Sequence, residues 1–271
     1  MSSLRKAPSA PLRPFIDCLW WSRRAAPTCV REHMLPTGTA QLVIALHDDP
    51  IRWSAAGQPN EWHSWTRGVL HGPQSAYYQA GAKPAGTVVG ISFRAGAAGE
   101  LLGAPLPELL DRHVSLDALW GARGRTLHER LAATVDPESA FELLEQEMLT
   151  RLRRPLLIHP AVAYALNAGT TAAMPGGIER LRQRTGYSHR RFIELFRAAV
   201  GLGPKHFYRI QRFSSVVRRL AAGETKLADL AASAGYADQS HLTREFRELA
   251  GIAPTSYRPR SPDSANHHVR G

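Results

Sequence analysis

The strongest constraint on the fold is an internal repeat in the last hundred residues of the chain. Nine positions recur in register, at a spacing of 49 residues up to a Gly-Tyr pair and of 50 residues after it. The first copy holds Leu181, Gly186, Tyr187, Phe192, Phe196, Arg197, Gly201, Pro204 and Phe207, and the second holds Leu230, Gly235, Tyr236, Leu242, Phe246, Arg247, Gly251, Pro254 and Tyr257. A period near 50 residues is typical of a duplicated supersecondary unit.

Each copy has the pattern of two short helices joined by a tight turn. Gly186 and Gly235 stand at the turn, where glycine permits a positive φ, and we expect Tyr187 and Tyr236 to anchor it. An apolar stripe points inward from the second helix of each copy: Phe192, Leu195 and Phe196, then Leu242 and Phe246. The pattern predicts two helix-turn-helix units, because two copies are too few for a protein-binding solenoid.

The charge of the chain is concentrated on the same segment. The net formal charge is +11, and residues 176–260 hold 16 Lys and Arg against 7 Asp and Glu. A concentrated positive field attracts polyanions, of which nucleic acid is the commonest. A solvated, arginine-rich surface is the alternative on charge alone, and the tandem units favour DNA.

The segment 235–258, GYADQSHLTREFRELAGIAPTSYR, resembles the signature region of the AraC/XylS family of bacterial regulators. The resemblance implies two helix-turn-helix units joined by a long helix, here about 204–222, with inward residues Phe207, Ile210, Val217 and Leu220. One departure concerns the small buried residue of the first helix of each unit, which is Ala231 in the second copy but Arg182 in the first. The Arg182 side chain must reach out to solvent, so the first unit is expected to be tilted or to bind DNA more weakly.

A recognition helix reads the major groove with the outward side chains of its N-terminal part. The predicted DNA-binding residues are Ser188, His189, Arg190, Arg191 and Glu194 in the first unit and Asp238, Gln239, Ser240, Thr243 and Arg244 in the second. Arg197 and Arg247, at the far end of each helix, suit either a phosphate or an internal salt bridge. Two tandem units should contact two groove segments about one turn (~34 Å) apart, so the predicted site is asymmetric.

The first half of the chain shows short β-like segments separated by Gly and Pro. Examples are the segments 41–46, 62–70 and 86–93. Short strands at regular spacing predict a small sandwich or barrel. Asp136-Pro137-Glu138 then predicts a helix start, and the helix should run to about Arg154 and stop at Pro155.

Three stretches of this half, LVIALHDDP, GVLHGP and GISFRAGAAGELLG, resemble the cupin-like sensor domains of some AraC-type regulators. The resemblance covers residues 12–120 and implies a barrel that holds a small effector. The six tryptophans all lie before Gly121 and either line such a pocket or pack in the core and at its edges.

An enzyme or metal centre in the first half is the main alternative. His33, His47, His63 and His71 are scattered singly, without the paired spacing of metal ligands, and the only cysteines are Cys18 and Cys29. We therefore expect no catalytic residues, no metal and no cofactor. Reactivity of the thiols toward a labelling reagent would test for an activated cysteine.

The predicted fold class is α+β, a β-rich cupin-like barrel or sandwich followed by an all-α DNA-binding domain with two helix-turn-helix units. The predicted domains are 12–125 for effector sensing or dimerisation, 136–155 as a connector helix, 156–258 for DNA binding, and 259–271 as a flexible tail. The expected function is sequence-specific regulation of transcription in the cytoplasm, with non-specific, charge-driven binding as a further alternative. Double-stranded DNA is the expected partner; RNA polymerase, a small-molecule effector and a second copy of the chain are candidates, and no membrane is expected.

Overall fold

A computed structural model describes residues 2–26, 31–58, 60–82, 84–152, 158–168, 177–261 and 264–269. The strands are β1 (Ser2–Lys6), β2 (Ile16–Arg24), β3 (Glu32–Met34), β4 (Gln41–Ala45), β5 (Ile51–Ala55), β6 (His63–Trp65), β7 (Gly68–His71), β8 (Tyr78–Ala80), β9 (Gly86–Phe93), β10 (His113–Ser115) and β11 (His267–Val269). The helices are α1 (Ala98–Leu102), α2 (Leu106–Leu109), α3 (Leu116–Trp120), α4 (Ala122–Ala132), α5 (Pro137–Arg151), α6 (Pro160–Asn167), α7 (Gly177–Thr185), α8 (His189–Val200), α9 (Pro204–Ala221), α10 (Leu227–Ala234) and α11 (Gln239–Ala250). The predicted class is confirmed, with two sheets in the first half and helices in the second.

The strands form two antiparallel sheets. The larger sheet has the order β1-β2-β9-β4-β7-β10, and the smaller has the order β11-β3-β8-β5-β6. The three stretches that predicted strands correspond to β4, to β6 with β7, and to β9. The aliphatic residues of β4 and β9 lie side by side, with Leu42 opposite Ile91 and Ile44 opposite Val89.

The core of the β-rich half lies between one face of the larger sheet and the helices α1 to α5. Leu42, Ile44 and Ile91 are fully buried there. Helix α5 begins at Pro137, where the carboxylate of Asp136 accepts a hydrogen bond from Ser139 N at 3.0 Å. The stripe of Phe141, Leu144 and Met148 is buried in this core, so it packs on its own domain. The helix ends at Arg151, and the boundary predicted at Pro155 lies outside the described residues.

A second core joins the helices α6 to α11. Its largest side chains, among them Phe192, Phe196, Phe213 and Phe246, are completely or almost completely buried. Leu35, from the segment between β3 and β4, is part of the same core. The two halves therefore share an apolar contact, and burial of that apolar area stabilises their association.

The segment after Tyr257 corrects a prediction, because residues 259–271 were expected to be a flexible tail. Instead His267–Val269 forms β11, which pairs with β3 in the smaller sheet. The reason is a buried acid: Glu32 is 5% exposed in its side chain and pairs with Arg260 at 3.2 Å and with His267 Nδ1 at 2.9 Å. Buried polar contacts therefore hold this segment in place, and the sequence shows no apolar pattern that would have predicted it.

Candidate nucleic-acid interface

The first helix-turn-helix unit consists of α7, a turn at Gly186 and α8. Gly186 has a φ of +73°, the left-handed conformation expected at this turn. Helix α8 begins after Ser188, whose hydroxyl oxygen accepts a hydrogen bond from Arg191 N at 3.3 Å. The inward side chains Phe192 and Phe196 are fully buried, as predicted.

The predicted contact residues of the first unit lie on the exposed face of α8. Ser188, His189, Arg190, Arg191 and Glu194 are all exposed. The Arg190 side chain is 91% exposed and pairs with Glu194 at 2.9 Å, one helical turn on. The α8 N-terminal turn thus offers two arginines and one acid to a partner, with the acid already paired.

The second unit, α10, Gly235 and α11, repeats this arrangement. Gly235 has a φ of +81°, and the carboxylate of Asp238 accepts a hydrogen bond from His241 N at 2.7 Å. Asp238, Gln239, Ser240 and Arg244 are exposed, and Thr243 is half-buried. The predicted contact residues of this unit are therefore accessible at the start of its second helix.

Helix α9 joins the two units and closely matches the expected 204–222. Phe207, Ile210 and Val217 are buried along it, and Leu220 is partly buried. Ala231 is buried in α10, whereas Arg182 reaches the surface of α7, as expected. The Arg182 guanidinium pairs with Glu179 and donates a hydrogen bond to the carbonyl oxygen of Tyr187 at 3.1 Å. This contact ties the first helix to the turn.

The segment that contains the two helix-turn-helix units is similar to known proteins. Residues 181–260 match a family described as "Helix-turn-helix domain". A protein of Streptomyces lividans described as an AraC-like transcription regulator is 27% identical over 274 residues, 88% of this chain and 90% of that protein. The multiple antibiotic resistance protein MarA of Salmonella typhimurium is 25% identical over 84 residues, 31% of this chain and 66% of MarA.

The C-terminal domain is a helix-turn-helix domain of the AraC type.

The β-rich half matches a different family, described as "Domain of unknown function (DUF6597)", over residues 4–115. The structure of ToxT from Vibrio cholerae aligns with 87% of this chain and 94% of its own, at 8% identity and a TM-score of 0.46.

The C-terminal halves of α8 and α11 each carry an exposed arginine. Arg197 and Arg247 are both exposed, and no acidic partner within 4.0 Å is found for either among the described residues. Neither arginine therefore forms an internal salt bridge within the described part of the chain. The phosphate role remains a prediction.

Sequence reasoning missed a buried ion-pair cluster under the second unit. Glu245, 5% exposed, accepts hydrogen bonds from Arg209 at 2.9 Å and Arg212 at 2.7 Å, and from the Tyr236 hydroxyl at 2.7 Å. The Arg212 guanidinium lies 4.3 Å from the centre of the Tyr236 ring, and burial raises the pKa of that tyrosine. The available signal was an acid within the inward stripe between Leu242 and Leu249, where a charge needs partners.

A single loop of the β-rich half reaches both units. Residues 72–77, between β7 and β8, are called the bridging loop here. Near the first unit, Ser75 O lies 3.3 Å from His206 Nε2, and a Cβ added to Gly201 would lie 3.2 Å from Pro73. Near the second, Tyr77 N donates to Leu249 O at 2.9 Å. The loop therefore contacts the ends of α8 and α11 that are remote from their exposed N-terminal turns.

The two sheets of the β-rich half enclose a cavity of about 330 Å³. Side chains alternate along a strand, so Leu19 of β2 points to the core between the larger sheet and α1 to α5, while Trp20 and Arg24 line the cavity. Trp53 lines it from the smaller sheet. Trp21 and Trp120 instead pack against the core between the larger sheet and α1 to α5. These four tryptophans therefore divide between the two roles that the sequence left open.

Two histidines near this cavity pair with each other. His71 Nδ1 and His113 Nδ1 are 2.5 Å apart and form a hydrogen bond, and burial lowers the pKa of His113 to about 2. Within the described ranges, no group of three or more His, Cys, Asp or Glu is placed to hold a metal ion. Cys18 is a buried free thiol, and Cys29 lies outside those ranges. Nor does any described helix have the length and apolarity needed to cross a membrane.

Proposed function

We propose that the chain regulates transcription by binding a specific DNA sequence, with α8 and α11 in successive segments of the major groove. The observation that supports this is the paired exposure of the two N-terminal turns on one helical domain. The proposed contacts are Ser188, His189, Arg190, Arg191 and Glu194 with Asp238, Gln239, Ser240, Thr243 and Arg244. Because the relative from Streptomyces lividans is described as a transcription regulator, we place DNA binding in the cytoplasm.

The side chains suggest which bases are read. Arginine pairs bidentately with guanine, so Arg190 and Arg244 are assigned to guanines, and Gln239 suits adenine. Glu194 can accept from cytosine N4. Different residues at the two helix starts mean that the two half-sites differ in sequence, and the complete site is asymmetric.

A small effector bound between the two sheets is the second part of the proposal. The cavity is enclosed by both sheets and by the segment that follows the AraC-type domain, including Arg260 and His267. A bound molecule would therefore touch both sheets and the segment by which the chain returns from the AraC-type domain. Pockets of a few hundred Å³ with an apolar lining and a few polar groups are typical of small-molecule sites.

Selection of bound sequences from random duplex DNA tests the DNA-binding proposal. The full chain is used, because β11 joins the helical half to the smaller sheet. The expected result is one asymmetric motif with two blocks about one helical turn (~34 Å) apart. A specific site should be preferred over random DNA by roughly 10³–10⁷. Binding without a motif, lost steeply in salt, would mean that the positive face acts only by charge.

Matched variants assign the blocks to the helices. Arg190→Ala should relax the preference in one block and Arg244→Ala in the other, each by about 1–3 kcal/mol. Arg197→Ala and Arg247→Ala are the controls, since a lost phosphate contact weakens binding to all sequences alike. If the selected motif is unchanged in Arg190→Ala and Arg244→Ala, the assignment of the recognition helices is wrong.

A further inference from the structure

The side chains that line the inter-sheet cavity are rich in hydrogen-bond donors. The indole nitrogens of Trp20 and Trp53 are both buried, and neither has a partner among the described residues. An indole N–H can only donate, and a buried donor without an acceptor is unfavourable. The two indoles come from opposite sheets and line the same space. They call for acceptor oxygens inside the cavity.

Positive charge lines the same space. Arg5, Arg24, Arg52 and Arg260 face the cavity, and no Asp or Glu is found among the described residues that line it. The nearby acid Glu32 is already engaged by Arg260 and His267. Burial lowers the pKa of the Arg24 guanidinium, and the charge of Arg260 lowers it further, while Glu32 acts in the opposite direction. An anion would relieve this repulsion.

The remaining lining is apolar. Met34, Val43, Ile51 and Val88 contribute aliphatic walls between the aromatic side chains. Gly90 leaves room for the Trp20 indole, because a Cβ at this position would lie 2.2 Å from that ring. A ligand that fits must therefore combine an anionic group with an apolar body.

We propose that this cavity binds a small organic carboxylate, with the carboxylate held by Arg24, the indole N–H groups as further donors and the apolar body between the sheets. Arginine is suited to the charged group because its planar fork binds a carboxylate bidentately. This proposal names the chemical class of the effector. It rests on the proposed function only for the effect of the bound molecule on DNA binding.

Occupancy of this cavity is coupled to the AraC-type domain through the chain itself. Arg260, Asn266 and His267 form part of the wall and follow directly from Tyr257, which is buried in the helical core. Leu35 N donates to Asn266 O at 2.8 Å, and Leu35 also packs in that core. A carboxylate held beside these residues favours the arrangement in which β11 stays paired with β3.

Calorimetric titration of the full chain with matched acids and amides tests the inference. The probes are 2-naphthoate and octanoate, each compared with its primary amide, which has nearly the same shape and no charge. We expect at least one acid to bind about tenfold more tightly than its amide. Binding of neither acid, or equal binding of acid and amide, overturns the proposal without any variant.

Two variants on one strand locate the charged group. Arg24→Gln should reduce the preference for acid over amide to less than about threefold. Arg23→Gln is the control, because Arg23 is the exposed neighbour on β2 and does not line the cavity. Trp53→Phe keeps a ring but removes the N–H, and should weaken the acid severalfold. An unchanged acid preference in Arg24→Gln contradicts the assignment.

DNA binding by the same preparations separates this inference from the proposed function. An acid that binds should change the affinity for the selected DNA site by about fivefold or more. Failure of both acids to bind, while the chain still selects its asymmetric site, rejects the carboxylate site alone. Acid binding without any DNA motif rejects the DNA-binding proposal alone.

Discussion

At one equivalent position of the two helix-turn-helix units, α8 has Leu195 and α11 has Glu245, 50 residues later. At another, α7 has Arg182 and α10 has Ala231, 49 residues later. Each unit thus has a charge where the other has an apolar side chain. The charge of the first unit lies at the surface, paired with Glu179, and that of the second is buried under Arg209 and Arg212.

This difference shows that a duplicated fold can be attached to the molecule by different forces. The second unit packs on α9 through the aromatic contact of Phe246 with Phe213, and a buried ion-pair cluster, which is directional, also fixes the angle of α11. The first unit packs on α9 through the aromatic contact of Phe196 with Phe207 and Tyr208. The second unit should therefore be the more sensitive to single polar substitutions.

The largest expected effect tests this directly. Glu245→Ala leaves two arginines and the Tyr236 hydroxyl without their shared acceptor, so the free energy of unfolding should fall by about 3–5 kcal/mol. Glu248→Ala is the matched control, because Glu248 is an exposed partner of Arg209 and its loss should cost at most ~1 kcal/mol. Urea unfolding of both variants measures the difference. Equal losses would mean that the buried cluster does not fasten the second unit.

Substitution of two equivalent glycines tests how tightly each unit packs against the β-rich half. Gly201 and Gly251 end α8 and α11 with φ values of +86° and +70°. A Cβ at Gly201 would lie 2.9 Å from the Leu106 carbonyl oxygen, which cannot rotate away, whereas a Cβ at Gly251 would meet the movable Tyr77 ring. Gly201→Ala should therefore cost roughly 2–4 kcal/mol, from left-handed strain with overpacking, and Gly251→Ala less.

Gly186→Ala provides the baseline for that series. Gly186 has a similar φ of +73°, and nothing lies within 4 Å of an added Cβ. Its substitution should cost only the conformational strain, about 1–2 kcal/mol. Thermal unfolding of the three variants should rank Gly201→Ala as the least stable and Gly186→Ala as the most stable. A reversed order would show that the units do not press on the β-rich half as described.

Removal of charge at a third equivalent pair should change DNA affinity in opposite directions. Glu194 in α8 and Arg244 in α11 are 50 residues apart and both exposed. Arg244→Gln should weaken binding to the selected site by about tenfold, within the range for one base or phosphate contact. Glu194→Gln frees Arg190 from its ion pair and should strengthen binding to random DNA severalfold. Fluorescence anisotropy with the same random duplex at fixed salt compares both variants, and a change of the same sign there would contradict opposite roles.

The smallest effect concerns the helix starts. Ser188→Ala and Asp238→Ala each remove an N-cap and should lower the free energy of unfolding by about 1 kcal/mol. Asp238→Ala should cost slightly more, because a carboxylate also interacts with the helix dipole, by about 0.3–1 kcal/mol. Asp238→Ser keeps the cap and separates the two contributions. A larger loss for Ser188→Ala would reverse the expected order.

The repeat predicted the helical half well because its constraints are local. Within each unit the turn glycine, the tyrosine beside it and the inward aromatic side chains all lie within about twenty residues of one another. Strand β11 was not predictable in this way, because His267 finds Glu32 at a separation of 235 residues and no apolar pattern marks the pair. The resemblance implied a cavity in the β-rich half but not its lining, since the alternation along β2 does not say which face meets the second sheet.

Strand β11 also changes the topology of the protein. The chain leaves the β-rich half after α5, builds the AraC-type domain, and returns to the smaller sheet beside β3. The AraC-type domain is therefore an insertion within a discontinuous β-rich domain, attached at both its ends. A domain attached at one end swings about a single hinge, but one attached at two is limited to rotation about the line that joins them. Any larger reorientation of α8 and α11 requires β11 to separate from β3.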